Sequence, residues 1–203
     1  MLSEKLSHML QRISCSKYNG KSCNDFNIDE NDAASSIKRV TFVDVNKGVD
    51  KDWFTFDPDR GRNGSVITHI LTTSVDKNVV VGEEIENLYH HKACDNIMII
   101  NKDGNLHVIY FEVKCGATGY SFQFKSSQCF VRYIVDICNM IGGVNFKITE
   151  ERFILLHAVP AIAKKPVSYA SEIESIKKSK PDSPHKIYVS SATKTLNFSA
   201  IYA

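Results

Sequence analysis

Three residues of this chain, Asp95, Glu112 and Lys114, have the types and the spacing to do hydrolytic chemistry. Asp95 opens an apolar segment, DNIMII, and the other two lie near the end of the next apolar segment, LHVIYFEVKC. Two carboxylates are hard oxygen ligands of the kind that Mg²⁺ prefers, and the ion usually keeps further positions for water and a substrate phosphate. A lysine beside them can orient or deprotonate the attacking water and offset charge developing on phosphorus. The three side chains therefore suit metal-assisted hydrolysis of a phosphodiester.

Two neighbouring strands are needed to bring these side chains together. The turn NKDGN contains an Asp-Gly pair, which is favoured in β-hairpins, so we expect residues 95–100 to pair with residues 106–115. Successive side chains of a strand point to opposite faces. Glu112 and Lys114 are therefore predicted to share one face of the sheet, while Val113 takes the other.

The elements that follow extend this pattern into a family resemblance. A helical apolar pattern covers residues 121–141 and an apolar strand is predicted over residues 151–159. Together with Asp95 and the triplet Glu112-Val113-Lys114, this order resembles the PD-(D/E)xK nuclease superfamily over residues 80–160. Cys94 stands where the first motif of that family often has proline.

The resemblance implies both a fold and a set of residue roles. The implied fold is a mixed α/β (α+β) restriction-endonuclease-like core, with a central mixed sheet flanked by helices. Asp95, Glu112 and Lys114 would be catalytic, with Mg²⁺ or Mn²⁺ bound by the two carboxylates and the water assisted by the lysine. Many such nucleases add an acidic residue from the preceding helix. The segment GEEIENLYHH predicts a short helix over residues 82–91, in which Glu84 or Glu86 could join the metal site, and Glu86 is favoured. The alternative is that these are ordinary solvated acids near a helix N-terminus.

A candidate nucleic-acid contact lies near the start of the long helix. Free backbone N–H groups and hydroxyls at a helix start favour an anion, so we expect a phosphate of the nucleic-acid backbone to bind there. The alternative is that these groups simply cap the helix. A related subgroup also places a glutamine and a tyrosine on this helix, and the chain offers Gln128 and Tyr133. The predicted nucleic-acid-binding residues are Lys125, Ser126, Ser127 and Gln128.

The rest of the chain is organised around this core as a single domain over residues 1–203. Residues 1–36 are predicted to form an N-terminal arm, with an amphipathic helix followed by a loop over residues 15–36 that is rich in Ser, Asn, Asp and Gly. Strands are predicted over residues 39–45 and 53–56. A lysine-rich helix over residues 171–178 and strands near 186–189 and 195–202 complete the C-terminal part.

Composition limits the class of protein. The chain has 203 residues, of which 43% are hydrophobic and 24% are charged, as in an ordinary globular domain. Its net charge of +2 is too small to indicate a nucleic-acid partner by itself. The six cysteines include no CxxC pair, which is typical of free thiols in a reducing compartment. No secretory signal and no membrane-spanning stretch is seen, so we expect a cytoplasmic protein that does not enter the membrane.

Three functions compete at this point. The first is a metal-dependent nuclease whose partner is nucleic acid, with DNA favoured, and whose role is nucleic-acid processing or anti-phage defence. The second is a catalytically weak subunit of the same fold that binds nucleic acid or assembles with a second copy or another protein. The third, the least favoured, is a cysteine hydrolase in which Cys94 or Cys115 works with His90 or His91.

Overall fold

Strands dominate the part of the chain that can be described. The computed structural model describes Leu6, His8 and residues 16–58, 93–116, 118–159 and 168–202. The strands are β1 (Ser16–Asn19), β2 (Phe26–Asp29), β3 (Arg39–Val43), β4 (Trp53–Phe56), β5 (Asn96–Lys102), β6 (Asn105–Lys114), β7 (Lys147–His157), β8 (His185–Tyr188) and β9 (Thr193–Asn197). The helices are α1 (Val45–Gly48), α2 (Ser121–Met140) and α3 (Tyr169–Lys177), and a 3₁₀ turn covers Phe198–Ala200.

The strands form two sheets. The larger sheet has six strands in the order β1-β4-β5-β6-β7-β8, and the smaller has the order β2-β3-β9. In the larger sheet β1, β4, β5 and β6 are joined by antiparallel pairing, whereas β6, β7 and β8 run parallel to one another. The predicted α/β class, with a mixed sheet and flanking helices, is confirmed at this level.

The larger sheet lies between two apolar layers because its strands are apolar on both faces. On β6, Phe111 and its same-face neighbours pack with residues of the smaller sheet, and the Phe42 and Phe111 ring centroids lie 5.1 Å apart. Tyr110 points to the other face, where it packs with α2 and β7; its ring stacks on Phe153 at 4.8 Å. This double burial explains why β5 and β6 read as nearly continuous apolar runs.

The hairpin and the long helix form as predicted. Asp103 and Gly104 both have positive φ, 54° and 88°, as a two-residue hairpin turn requires, and they join β5 to β6. Helix α2 buries Phe130, Ile134 and Cys138 against the sheet, as their helical spacing predicts. The chain then passes from α2 into β7, the predicted strand, which begins four residues earlier than expected, at Lys147.

The predicted N-terminal arm needs correction. Residues 15–36 were expected to form a loop, but they contain β1, which pairs with β4 in the larger sheet, and β2, which pairs with β3 in the smaller one. Asp29 links the two sheets because its carboxylate accepts hydrogen bonds from Lys17 at 2.9 Å and Arg39 at 2.6 Å. Each strand is only four residues long, and its local composition is polar, so the sequence pattern gives a weak signal for it. The strands form because they pair with distant strands of the two sheets.

Other predictions are confirmed, corrected or outside the described residues. Leu6 and His8 are helical, as predicted for the N-terminus, and Leu6 is buried. The strand expected over residues 195–202 ends at Asn197, whose side chain accepts a hydrogen bond from the Ser199 N–H and starts the 3₁₀ turn. The helix predicted over residues 82–91 lies outside the described residues. Among the helices that are described, none has both the length and the apolar character needed to cross a bilayer.

Candidate functional site at the carboxyl edge of the sheet

The predicted catalytic residues lie at one edge of the larger sheet. Since β6, β7 and β8 are parallel, their carboxyl ends share this edge, and the antiparallel β5 begins there. Asp95 directly precedes β5, and Lys114 is the last residue of β6. In open α/β sheets the edge at the carboxyl ends of the strands is the usual place for a ligand.

Glu112 and Lys114 form an ion pair on the face of the sheet that α2 covers. The Lys114 Nζ lies 2.8 Å from the Glu112 Oε1, so the two side chains share a face, as the strand alternation predicts. The Glu112 side chain is only 1% exposed, whereas that of Lys114 is 31% exposed. A carboxylate removed this far from water is expensive to keep in a fold, and such groups concentrate at functional sites.

Asp95 is held against the backbone of β6. Its Oδ2 accepts a hydrogen bond from the Val113 N–H at 2.6 Å. Asp95 is thereby fixed beside the peptide that separates Glu112 from Lys114. The structure thus brings the three predicted catalytic residues together around one short stretch of β6.

The surrounding carboxylates keep Lys114 charged. Burial by itself would lower the pKa of Lys114, but the charge and hydrogen bond of Glu112, with smaller contributions from Asp95 and Glu30, outweigh it and raise that pKa. Lys114 is therefore an ammonium at neutral pH. In this state it can orient a water molecule or an anionic oxygen by donating hydrogen bonds, but it cannot accept a proton.

Two residues near this site were missed by sequence reasoning. Glu30 follows β2 in the segment that was predicted to be a loop, and no local signal points to it. His157 ends β7 directly opposite Lys114 in the parallel register and is 6% exposed. The signal for His157 was present, because it closes an apolar strand just as Lys114 closes the preceding one. Only the parallel pairing of β6 with β7 makes the two ends neighbours.

The carboxylates of this site are of the type that binds a hard divalent cation, and they provide two protein ligands. Asp95 and Glu112 supply carboxylate oxygens, and Mg²⁺ is commonly held by one or two carboxylates with water completing its coordination. In the described ranges no group of three or more His, Cys, Asp or Glu side chains is arranged to hold a metal ion. Glu84 and Glu86, the predicted candidates for a third ligand, lie outside those ranges.

The predicted phosphate contacts on α2 do not form one open site. The helix begins at Ser121, and the Phe124 N–H already bonds to the Tyr120 carbonyl, so the backbone donors of residues 125–127 belong to the helix interior. Ser127 is buried, and its Oγ accepts a hydrogen bond from the Cys94 N–H at 2.9 Å. Gln128 donates to Glu151 at 2.7 Å.

Lys125 and Ser126, the other two predicted phosphate contacts, are less buried than Ser127. Lys125 is an exposed lysine on the second turn of α2, and its Nζ lies 2.7 Å from the Asp182 Oδ1. Ser126 is half-buried on the same turn. The backbone N–H groups of residues 125–127 are therefore not free to bind an anion. Nucleic-acid binding by the Lys125 and Ser126 side chains stays a prediction.

The described cysteines are free thiols, as predicted. Cys94 is fully buried, and its thiol donates to the Asn96 carbonyl at 3.4 Å. Cys115 is exposed, and hydrogen bonding to Ser35 and to the Ser36 backbone lowers the pKa of its thiol. His90 and His91, the bases of the cysteine-hydrolase hypothesis, lie outside the described residues.

Comparison of the chain with protein-family models, with curated proteins and with solved structures finds no match. The functional argument for this protein therefore rests on the geometry of its own residues.

Proposed function

We propose that this chain is a divalent-metal-dependent nuclease that hydrolyses phosphodiester bonds, with DNA as the favoured substrate. The observation that carries the proposal is the buried carboxylate of Glu112, paired with Lys114 at the carboxyl edge of the sheet beside Asp95. An apolar pair would serve packing at least as well, so the retention of buried charge at this edge favours a chemical role.

The order of the described elements supports a restriction-endonuclease-like core within residues 80–160. An antiparallel hairpin, β5 and β6, is followed by helix α2 and by β7, which pairs in parallel with β6. The resemblance implies the order helix, strand, strand, strand, helix, strand, and these elements correspond to the last four of that series. Asp95 and the Glu112-Val113-Lys114 triplet occupy the start of the hairpin and the end of its second strand.

Each residue has a distinct role in this proposal. Asp95 and Glu112 would hold Mg²⁺ or Mn²⁺, and Glu86 is the proposed third ligand. When bound, the ion would supply Lewis-acid activation of the phosphate and of a water molecule. Lys114 keeps its proton and orients the water or a phosphoryl oxygen through its N–H groups. The burial of Glu112 excludes bulk water from this side of the site, which strengthens these electrostatic interactions.

Cleavage of plasmid and linear DNA with and without Mg²⁺ tests the proposal. Asp95→Asn and Glu112→Gln keep the size of each side chain and should lower the cleavage rate about a hundredfold or more, as should Lys114→Ala. Asp136→Asn, at an exposed position on α2, is the matched control and should cleave like the wild type. Metal-independent cleavage, or equal rates in the wild type and the three site variants, would eliminate the assignment.

A second candidate function is a nuclease-fold subunit that binds nucleic acid or assembles with a partner without cutting. The burial of Glu112 favours this second function, because the carboxylate is almost inaccessible to solvent and already pairs with the Lys114 ammonium. Titration with Mn²⁺ followed by electron paramagnetic resonance separates the two functions. A protein that binds DNA but takes up no Mn²⁺ at millimolar metal would be the binding subunit.

A further inference from the structure

Three parallel strands place a row of side chains next to the candidate site. In the register of the sheet Lys114 lies opposite His157, and His157 lies opposite Tyr188 of β8. Residues directly opposite each other on neighbouring strands point to the same face. Lys114, His157 and Tyr188, which we call the edge row, therefore lie side by side on the face that carries Glu112.

Tyr188 is the exposed end of the edge row. The residue is 41% exposed, whereas His157 beside it is 6% exposed, and the two ring centroids lie 6.2 Å apart at an angle of 49°. The buried imidazole thus supports one side of the phenol ring, while the outer part of the ring remains open to a ligand. Among the exposed large apolar residues in the described ranges, Tyr188 is the one in register with Lys114 and His157.

A lysine accompanies this ring. Lys186 lies two residues before Tyr188 on the same exposed face of β8 and opposite Leu155, in the row that also contains Glu112. Its Nζ is 5.2 Å from the Tyr120 ring centroid, which places it at the start of α2. Among the described residues, Tyr188 and Lys186 therefore place an exposed aromatic residue and an exposed lysine beside the candidate catalytic residues.

This pairing has a clear ligand chemistry. A positive group that contacts the backbone, next to an aromatic ring on which a base stacks, is the combination by which proteins hold single-stranded nucleic acid. Neighbouring strands are about 4.8 Å apart, so Tyr188 stands about 10 Å from Lys114 across the sheet. A base stacked on Tyr188 would therefore lie about 10 Å or more from Lys114, and the neighbouring nucleotides would connect it to the candidate site.

We infer that Tyr188 and Lys186 form a binding extension of the candidate site that takes a single-stranded stretch of nucleic acid. The base stacks on Tyr188, and a backbone phosphate contacts Lys186. In a duplex the face of each internal base is covered by its neighbours, so this ring can stack only on an unpaired or terminal base. The inference rests on the proposed function for the identity of the polymer, and it adds the strandedness of the substrate.

Equilibrium binding of a fluorescently labelled single-stranded DNA oligonucleotide to the full chain in EDTA tests this inference. Tyr188→Leu keeps an apolar side chain on the strand but removes the aromatic face, and should raise the Kd about tenfold. Tyr188→Phe keeps the face and should bind within about twofold of the wild type. Lys186→Gln should weaken binding to all sequences and lower the slope of log K against log salt by about one.

Tyr169→Leu is the matched control for the tyrosine substitution. Tyr169 is 57% exposed on α3, and the buried residues of α3 pack on the face of the sheet opposite the edge row. This variant should bind the oligonucleotide like the wild type. A blunt duplex of the same sequence should bind more weakly than the single strand.

Several results would overturn the inference. They are an unchanged Kd for Tyr188→Leu, an equal loss in Tyr188→Phe, equal affinity for the duplex, and no binding of the single strand. The assay contains no metal, so it is independent of cleavage. Tyr188-dependent binding without any cleavage would remove the nuclease proposal and keep this inference, whereas cleavage with an unchanged Kd for Tyr188→Leu would do the reverse.

Discussion

Removing the ammonium of Lys114 while Glu112 stays in place is the most informative perturbation of the site. In Lys114→Met the side chain keeps its length, but the carboxylate of Glu112, whose side chain is 1% exposed, loses the cation at 2.8 Å. Removing one partner of a buried ion pair destabilises proteins by about 3–5 kcal/mol, because the remaining charge loses its main compensation. We expect a loss in this range for the free energy of unfolding.

The opposite deletion should cost less. In Glu112→Gln the remaining charge is on Lys114, whose side chain is 31% exposed and also interacts with Asp95 and Glu30. It can therefore recover part of its hydration, and we expect a loss of about 1–2 kcal/mol. The double variant Glu112→Leu, Lys114→Met replaces the pair by apolar side chains and should return to within about 1 kcal/mol of the wild type.

Urea unfolding followed by tryptophan fluorescence measures all three variants. With an m-value of about 2 kcal/mol per M, the loss in Lys114→Met corresponds to a midpoint lowered by roughly 1.5–2.5 M. A Lys114→Met variant no less stable than Glu112→Gln, or a double variant as unstable as Lys114→Met, would show that the buried Glu112 carboxylate does not depend on the Lys114 ammonium. A stable but inactive double variant would show that the charges serve the site and not the fold.

Three further outcomes follow from the fold. Burial would raise the pKa of Asp29, but the hydrogen bonds and charges of Lys17 and Arg39 outweigh burial and lower that pKa. The stabilisation that these two partners provide is therefore present above about pH 4 and is lost as the pH falls through the lowered pKa. Asp29→Asn should therefore lose about 1 kcal/mol at neutral pH in chemical unfolding. The difference from the wild type should shrink as the pH falls below the ordinary range of an aspartate and vanish below the lowered pKa of Asp29. Gly104→Ala should lower the melting temperature through about 1 kcal/mol of backbone strain, since the φ of Gly104 is 88°; an unchanged value would contradict the turn geometry. Tyr110→Phe keeps the ring but removes the hydrogen bond to Glu151 at 3.0 Å, and calorimetry should show a loss of about 1 kcal/mol, with a gain in stability as the contrary result.

The grouping of Asp95, Glu112 and Lys114, the candidate triplet, could be predicted from the sequence because its geometry is local. The side chains of a strand alternate between its two faces in any sheet. Glu112 and Lys114 therefore share a face as soon as residues 106–115 are predicted to form a strand. The Asp103-Gly104 turn likewise determines which strands form the hairpin and hence that Asp95 lies beside β6. These relations involve short stretches of chain, and short-range sterics dictate them.

The environment of the triplet could not be read in this way. Glu30 approaches Lys114 because β2 joins a second sheet, and the polar composition around β2 predicts a loop instead. The burial of Glu112, whose side chain is 1% exposed, is a property of the folded chain, whereas a carboxylate near a strand end would ordinarily be expected in water. The helix-start argument for Ser127 failed for the same reason, since its hydroxyl is used by the backbone at Cys94.

By itself, the sequence determined the type of chemistry available, two carboxylates and a lysine, and the strand order that carries them, because residue type and strand periodicity are properties of the chain alone. Only the tertiary structure decided that Glu112 is buried, that Lys114 is held as a cation, and that His157 and Tyr188 lie in line with Lys114 along the sheet edge. Those properties arise from contacts between segments that are far apart in the chain. These segments pair because pairing buries both faces of the sheet, and such pairing leaves no local signal in the sequence.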